Sequence, residues 1–394
     1  MAPPIRVALI GLSSHALVTW AADAHLPYLL SAIGRSHYQL VALLNSSVEA
    51  AEAAKKHFNL PSSTKAYGDP SALAADPNID LVVCSTRVDI HFKTTEPSLR
   101  AGKPVFVEWP LAASLAQGIE LTGGQTFPDS ILGLQGRVSP ITLRLKEILA
   151  AGTIGTVLSS EVHSFGSLLP RDGLPEAISF FADLKFGGNA INIENGHTID
   201  YIHEVLGEFK TFDSKMQIQR PTLKVLGVDW TQTSGDVKQI GTIESTTPDL
   251  LSIHGPLEGS ALVVDGALLT FTFRVGPPFK GQPALTWTIN GTKGELMITI
   301  EGQYLHSHTI DGILIKYHDH VTDEVKELEW DWAEWQKELP VRSRIVSELY
   351  ERYAEWVEGG KGEVKEGRGW PRLEDGVNRL KMFEVIYKQY DPNW

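Results

Sequence analysis

Ile5-Arg6-Val7-Ala8-Leu9-Ile10-Gly11-Leu12-Ser13-Ser14-His15-Ala16 decides the fold. A short aliphatic run that stops at a glycine reads as a buried strand entering a tight turn. The dinucleotide-turn template G-x-G-x-x-G keeps only its first glycine here, as Gly11. Gly11 fits the turn, Ser13 brings an amide and a hydroxyl toward a phosphate, and Ala16 is small enough for close helix packing. The plain alternative is an ordinary loop in an α/β domain.

Further aliphatic runs follow at 39–44, 79–84 and 104–107, with helical patterns between them at 49–58 and 94–101. Strands alternating with helices predict parallel βαβ units and a doubly wound sheet. The pattern then changes. A helix is predicted at 143–150, and strands at 157–164, 225–228, 239–244, 250–254, 261–264, 268–274, 284–290, 294–300 and 313–318, punctuated by Gly and Pro. They predict a mostly antiparallel sheet in an α+β domain. Amphipathic helices are predicted from residue 341 to Gly359-Gly360 and over 372–389, the last packing back toward the N-terminal domain. The mixed-charge stretch 358–368 reads as a solvated loop. The predicted domains are 1–135, with a doubly wound nucleotide-binding pattern, and 136–394.

The chain has 394 residues, 42% of them hydrophobic, enough for a sizeable core. Its 35 basic and 48 acidic residues leave a net charge of −13, which disfavours direct nucleic-acid binding. A single cysteine, Cys84, excludes an internal disulfide framework and fits a reducing compartment. Neither a signal peptide nor a membrane span is legible, so a cytoplasmic location is expected.

Candidate chemistry sits in three further stretches. At Asn45-Ser46 an acidic residue would grip a ribose diol and repel a 2′-phosphate. Asn and Ser do neither, so NADP(H) is weakly preferred over NAD(H), although a simple polar turn explains the residues as well. Glu108-Trp109-Pro110 ends a strand at the crevice where ligands bind, able to orient a cofactor or substrate. A structural tryptophan is the alternative. In Glu194-Asn195-Gly196-His197-Thr198-Ile199-Asp200, the three-residue spacings put His197 between two carboxylates on one helix face. Such a His suits proton transfer. The alternative is a capping network built on Asn192 or Asn195. No metal is expected: His306, His308, His318 and His320 lack carboxylates at ligand spacing and read as strand-surface residues. The Trp330, Trp332 and Trp335 cluster reads as packing or a partner face.

These motifs resemble the Gfo/Idh/MocA oxidoreductase family, on the branch of the fungal galactose-regulon co-repressors. The resemblance rests on Gly11-Leu12-Ser13, Trp20-Ala21, His25-Leu26-Pro27, Val107-Glu108-Trp109, Leu134-Gln135-Gly136-Arg137, Ser139-Pro140 and Gly196–Asp200. It covers most of residues 5–390, is dense through residue 207, and continues at Asn290-Gly291-Thr292-Lys293-Gly294. It implies a Rossmann domain and an α/β domain whose open sheet makes homodimers and walls the substrate cleft. Cofactor contacts are assigned to Gly11, Leu12, Ser13, Asn45, Ser46, Ser85, Thr86, Arg87, His91, Glu108, Trp109, Gln135 and Arg137. A small-molecule substrate is assigned to Arg137, Arg171, Phe181, Asp183, His197 and Tyr201, under an apolar lid at 167–186.

Enzymes of the family usually carry E-K-P, its lysine working with an aspartate and a histidine. Here Trp109 stands at the lysine, Ile193 at the aspartate, and His197 is retained. Two readings follow. One is an NAD(P)-dependent oxidoreductase acting on a small carbonyl, imine or sugar-like substrate, with His197, Glu194, Asp200 and Trp109 as its catalytic group. The other is an inactive dinucleotide-binding co-repressor that covers an activator peptide, with a nuclear location possible.

Overall fold

The computed structural model describes residues 3–15, 20–167, 169–227, 238–301 and 312–394. Ala16, Val228, His306 and His308 therefore lie outside the described residues. The chain forms two compact units: Met1–Gln135 with Ala333–Lys381, and Gly136–Trp332 with Met382–Trp394. The segment 333–381, which chain order alone assigns to a second domain, belongs to the first unit.

The first unit holds β1 (Ile5–Ile10), β2 (Tyr38–Leu44), β3 (Lys65–Tyr67), β4 (Leu81–Cys84), β5 (Val105–Glu108) and β6 (Ile131–Gly133). They form a parallel sheet in the order β3-β2-β1-β4-β5-β6. The continuous aliphatic runs have the expected cause: β4 and β5 are buried along their whole length, as in a sheet covered on both faces. The helix Val48–His57 is started by the Ser47 hydroxyl, which accepts from the Ala50 amide. Glu49 in its first turn and Lys55, Lys56 and His57 in its last complement its dipole.

The returning segment is tied to the sheet edge by hydrogen bonds. Trp370 Nε1 donates to the Ser130 carbonyl (2.8 Å) and the Leu132 amide to that of Pro371 (2.8 Å). The mixed-charge stretch is more ordered than a simple solvated loop. Arg368 pairs with Glu348 (2.7 Å) and Glu355 (2.8 Å), and Lys365 with Glu355 (2.6 Å).

The second unit carries β7 (Val157–Gly166), β8 (Gly173–Pro175), β9 (Asp213–Gln217), β10 (Thr222–Gly227), β11 (Lys238–Glu244), β12 (Leu250–Pro256), β13 (Val263–Val275), β14 (Leu285–Gly291), β15 (Gly294–Ile300), β16 (Ile313–Asp319) and β17 (Val325–Glu327). Its large sheet runs β17-β16-β15-β14-β7-β13-β12-β9, antiparallel except at β7–β13, and a small sheet runs β11-β10-β8. The two strands expected at 261–264 and 268–274 are one strand, β13, with a register shift between Val263 and Leu268. Alternation sends Val162, Phe271, Phe273, Trp287, Ile289, Leu296, Ile298 and Ile315 into the core. The buried Trp287 indole keeps its hydrogen bond, donating to Ser160 Oγ at 2.9 Å.

The stretch 167–186 is not a bare lid loop. It contains β8, paired with β10, and short helical turns at Glu176–Ala182 and Leu184–Phe186. Trp330 and Trp332 meet edge to face at 6.2 Å, and Trp332 is buried, as packing requires. Among the described residues, no helix is long and apolar enough to cross a membrane.

One buried carboxylate in the first unit is held by charge. Lys65 Nζ (2.6 Å), Tyr67 Oη (2.7 Å) and the Asn78 amide (2.9 Å) all donate to Asp76. These contacts, that of Lys65 foremost, keep the Asp76 carboxyl well below the usual carboxylate range; burial, then the same carboxylate, pushes Tyr67 up to about 12. A depressed folded-state pKa gives stability that is complete above the unfolded value of about 4 and lost as pH falls below it. Asp76→Asn should therefore destabilise the protein near neutrality, by a margin that shrinks between about pH 5 and pH 2. Urea unfolding across that range measures it, and a pH-independent margin would show that the carboxylate's charge is not its source.

Candidate dinucleotide and substrate sites

In the first unit the carboxyl ends of β1, β4 and β5 bring together most of the residues assigned to the cofactor. Gly11 has φ +95°, and a Cβ there would lie 2.2 Å from the Ser85 carbonyl oxygen. Only glycine lets the turns after β1 and β4 approach this closely. The Gly11 amide donates to Leu44 O (3.1 Å) and the Ser85 amide to Ile10 O (3.1 Å), which fixes both turns. Asn45 Nδ2 donates to the Leu12 carbonyl at 2.7 Å, so this side chain braces the first turn. Ser46 follows it, and Ser47 caps the next helix. Ser13 Oγ accepts from the His15 amide at 3.2 Å.

His91 is buried, with Nε2 2.9 Å from Thr86 O and Nδ1 3.0 Å from Pro110 O, and so bridges the loops after β4 and β5. Burial lowers its pKa, and the neutral ring donates to one of the two carbonyls at a time. Arg87 is paired with Asp89 at 2.7 Å. Trp109 and Gln135 are buried, and the Trp109–Pro110 peptide is cis.

Glu108 is also buried, and its partners were not foreseen. His25 Nε2 lies 2.9 Å from Glu108 Oε1, and His25 Nδ1 lies 2.7 Å from Tyr350 Oη. His25 stood in the motif His25-Leu26-Pro27 without a role. Tyr350 gave no signal, because it is 325 residues from His25.

In the second unit, a wide π turn at Ile191–Asn195 leads into the helix Gly196–Leu206. The Asn195 amide donates to Ala190 O at 3.1 Å, a bond across five residues. Such turns recur at functional sites. The π turn ends at Asn195, and Asn195 and Gly196 both have α-helical dihedrals as the chain passes from Glu194 to His197. Asn195 makes no side-chain cap at the start of this helix, while Asn192 Nδ2 donates to Gly187 O (2.9 Å) and Asn192 Oδ1 accepts from Tyr387 Oη (2.8 Å).

His197 and Glu194 are buried. Asp200 is 1% exposed and accepts from Arg137 Nε and Nη2, each at 2.8 Å. Tyr201 is buried beside Gly136, and burial holds its hydroxyl protonated far above neutral pH. Three assigned residues make their hydrogen bonds or ring contacts elsewhere. Arg171 reaches Pro278 O (3.1 Å), Asp183 accepts from the Lys185 amide (3.0 Å), and Phe181 packs edge to face on Phe180 (5.2 Å). His318 and His320 do have carboxylates beside them. Asp323 Oδ1 is 2.8 Å from His318 Nε2, and Glu295 pairs with His318 across the β15–β16 ladder. Cross-strand register supplied what spacing along one strand did not show.

A parallel sheet with a tight glycine turn at its first strand, joined to an open antiparallel sheet, defines a Rossmann-type oxidoreductase architecture. Residues 5–123 match the oxidoreductase family with NAD-binding Rossmann fold, and residues 140–301 match the C-terminal domain of Gal80p. The chain is thus similar to the Gfo/Idh/MocA oxidoreductases in its first part and to Gal80p in its second. It is 29% identical to the dehydrogenase aclE of Aspergillus oryzae, over 98% of this chain and 96% of that one. It is also 29% identical to the galactose/lactose metabolism regulatory protein GAL80 of Kluyveromyces lactis, over 75% of this chain and 64% of the regulator. The structure of a super-repressor mutant of Gal80p from Saccharomyces cerevisiae superposes with a TM-score of 0.82 at 24% identity, covering 100% of this chain and 97% of that one.

The Arg137–Asp200 pair is largely buried, with side chains 16% and 1% exposed. Removing one partner of such a pair costs more than the pair contributes, because the other charge stays buried. Asp200→Ala should lower stability by about 3 kcal/mol. Chemical denaturation measures this; a loss below about 1 kcal/mol would place the pair among weak surface bridges.

Proposed function

We propose that this protein is an NAD(P)-dependent oxidoreductase that transfers hydride to or from a small carbonyl, imine or sugar-like substrate. The carrying observation is the match to a dehydrogenase along nearly the full length of both chains, whereas the galactose regulator is matched over only 64% of its own length. A dinucleotide in the first unit is supported by Gly11, whose missing Cβ lets the turn after β1 close to within contact of Ser85 at the end of β4. Gly11, Leu12 and Ser13 would hold the pyrophosphate, and Asn45 and Ser46 the adenosine ribose. With no carboxylate there, NADP(H) is preferred. When bound, the nicotinamide supplies or accepts the hydride.

His197 gives a proton to the substrate oxygen or nitrogen, or takes one from it. Asp200, neutralised by Arg137, positions the Gly196–Leu206 helix rather than acting as a base. Tyr201 stays neutral, so it serves as a hydrogen-bonding hydroxyl rather than as a base. Trp109 replaces the family's lysine, so a tryptophan wall stands where an ammonium would serve as acid. The exposed apolar residues Leu158, Val264, Leu268 and Met297 on the large sheet favour a homodimer through that face. A cytoplasmic location suits this activity.

A second reading is favoured by the Gal80p C-terminal domain match. Under it, the protein is a dinucleotide-responsive co-repressor that binds an activator peptide.

Calorimetric titration with NADPH, NADP⁺, NADH and NAD⁺ comes first. Binding tighter than ~100 μM, about −5.5 kcal/mol, is expected, tightest for the NADP pair. Gly11→Val should weaken it roughly tenfold or more, ~1.4 kcal/mol. No binding of any of the four would sink the oxidoreductase reading. With a turned-over substrate in hand, His197→Ala should lower kcat by about 10²–10⁴-fold at nearly unchanged cofactor affinity. Cofactor binding without turnover across a carbonyl, imine and sugar panel would select the co-repressor instead.

A further inference from the structure

The β15–β16 hairpin of the second unit carries a side-chain cluster unrelated to the sites above. In this antiparallel pair Glu295 lies directly opposite His318. Directly opposed residues share a sheet face, with Cβ atoms about 5 Å apart. Leu296, Ile298 and Ile315 point into the core, so Glu295 and His318 stand on the outer face. His320 joins them from the turn after β16. Its amide donates to Lys293 O at 3.1 Å, and the Asp319 carboxylate accepts from the Val321 (2.8 Å) and Thr322 (3.2 Å) amides, fixing the turn. One donor atom from each of Glu295, His318 and His320 lies within 4.8 Å of the other two. The imidazoles meet edge to face at 5.4 Å.

We propose that Glu295, His318 and His320 form a binding site for a Zn²⁺-type transition-metal ion. Two imidazoles and one carboxylate suit such an ion, whereas Mg²⁺ and Ca²⁺ take oxygen ligands. Ligand atoms about 2.0–2.1 Å from a tetrahedral zinc lie roughly 3.3 Å from one another. The observed spacing closes to that by small rotations of half-exposed side chains.

The second observation is the contact of His318 Nε2 with Asp323 Oδ1 at 2.8 Å. A metal-ligating histidine characteristically donates its other ring N–H to a carboxylate, which fixes the tautomer and raises ligand basicity. Asp323 thereby orients His318 and assigns Nδ1 as its ligand atom. Three protein ligands leave at least one coordination position for water, as in open zinc sites.

The test is a Zn²⁺ titration of the EDTA-treated full chain against a fluorescent chelator, repeated with Co²⁺ to read its visible absorption. One tight equivalent is expected, with the Co²⁺ band of nitrogen–oxygen coordination. His318→Gln/His320→Gln should abolish both. Glu295→Gln should weaken binding by at least about tenfold, and Asp323→Asn by about 10–100-fold with the Co²⁺ band retained. The chain has 13 histidines, so the double variant also measures background binding. All four positions are on the surface, and circular dichroism confirms that each variant is folded. Absence of a tight equivalent in the wild-type chain, or equal affinity and stoichiometry in the double variant, would overturn the site.

Discussion

A carboxylate taken out of water must be paired, and Glu108 is such a carboxylate at the end of β5. Its neighbourhood is built around that need. Gly133 on β6 leaves room for it, since a Cβ there would lie 2.5 Å from Glu108 Oε2. His25 stands 2.9 Å away, with its second nitrogen on Tyr350 Oη. Tyr350 stacks on Tyr28 at 5.0 Å, and its carbonyl accepts from Tyr38 Oη at 2.6 Å. The helix Val341–Glu358 is thus bound to the sheet through a buried polar chain as well as through apolar contacts. Glu108, His25, Tyr28, Tyr38 and Tyr350 are all buried, so this chain of contacts lies out of water. This explains why a segment more than 200 residues downstream belongs to the first unit.

The same constraint shapes the chemistry. Glu108, held by His25, fixes the strand end that carries Trp109. His91 fixes the loop beyond Pro110 against the loop after β4. Asp200, held by two bonds from Arg137, fixes the helix that carries His197. Glu108 and Asp200 thus each stand against a residue from another element. Sites on such braced elements are preorganised, because second partners lock the rotamers of the groups that matter.

The sheet-forming runs were legible because each strand's burial is written locally. Strands β1 and β15 begin and end at the residues where hydrophobicity does. Helix starts were less legible. Pro97 lies inside the helix His91–Arg100, and a proline ordinarily argues for a boundary. Short β8, β6 and β17 gave no pattern, since three residues hold less than two periods of alternation. At the candidate sites, residue types were legible but partners were not. The Gly11 turn announced itself through one glycine after a strand. Tyr350 as the partner of His25, Arg137 as that of Asp200, and Glu295 as that of His318 arise only from folding, because each joins residues far apart in the chain. The π turn at Ile191–Asn195 was equally invisible, because nothing in the residue types there sets a five-residue turn apart from a four-residue one.

The large sheet shows how one face can discipline the other. A one-residue slip would move Trp287, Ile289, Leu296 and Ile298 to solvent, so their burial locks the register of β14 against β15. That lock is independent of what stands on the outer face. Glu295 and His318 are therefore held opposite one another by residues they do not touch, at no cost to the core. The same holds for Leu158, Val264, Leu268 and Met297, whose exposure of 38–47% contributes nothing to the unit's own packing. A sheet whose inner face fixes the geometry leaves its outer face available for recognition, of a metal ion at the β15–β16 end and of apolar surface along β7 and β13.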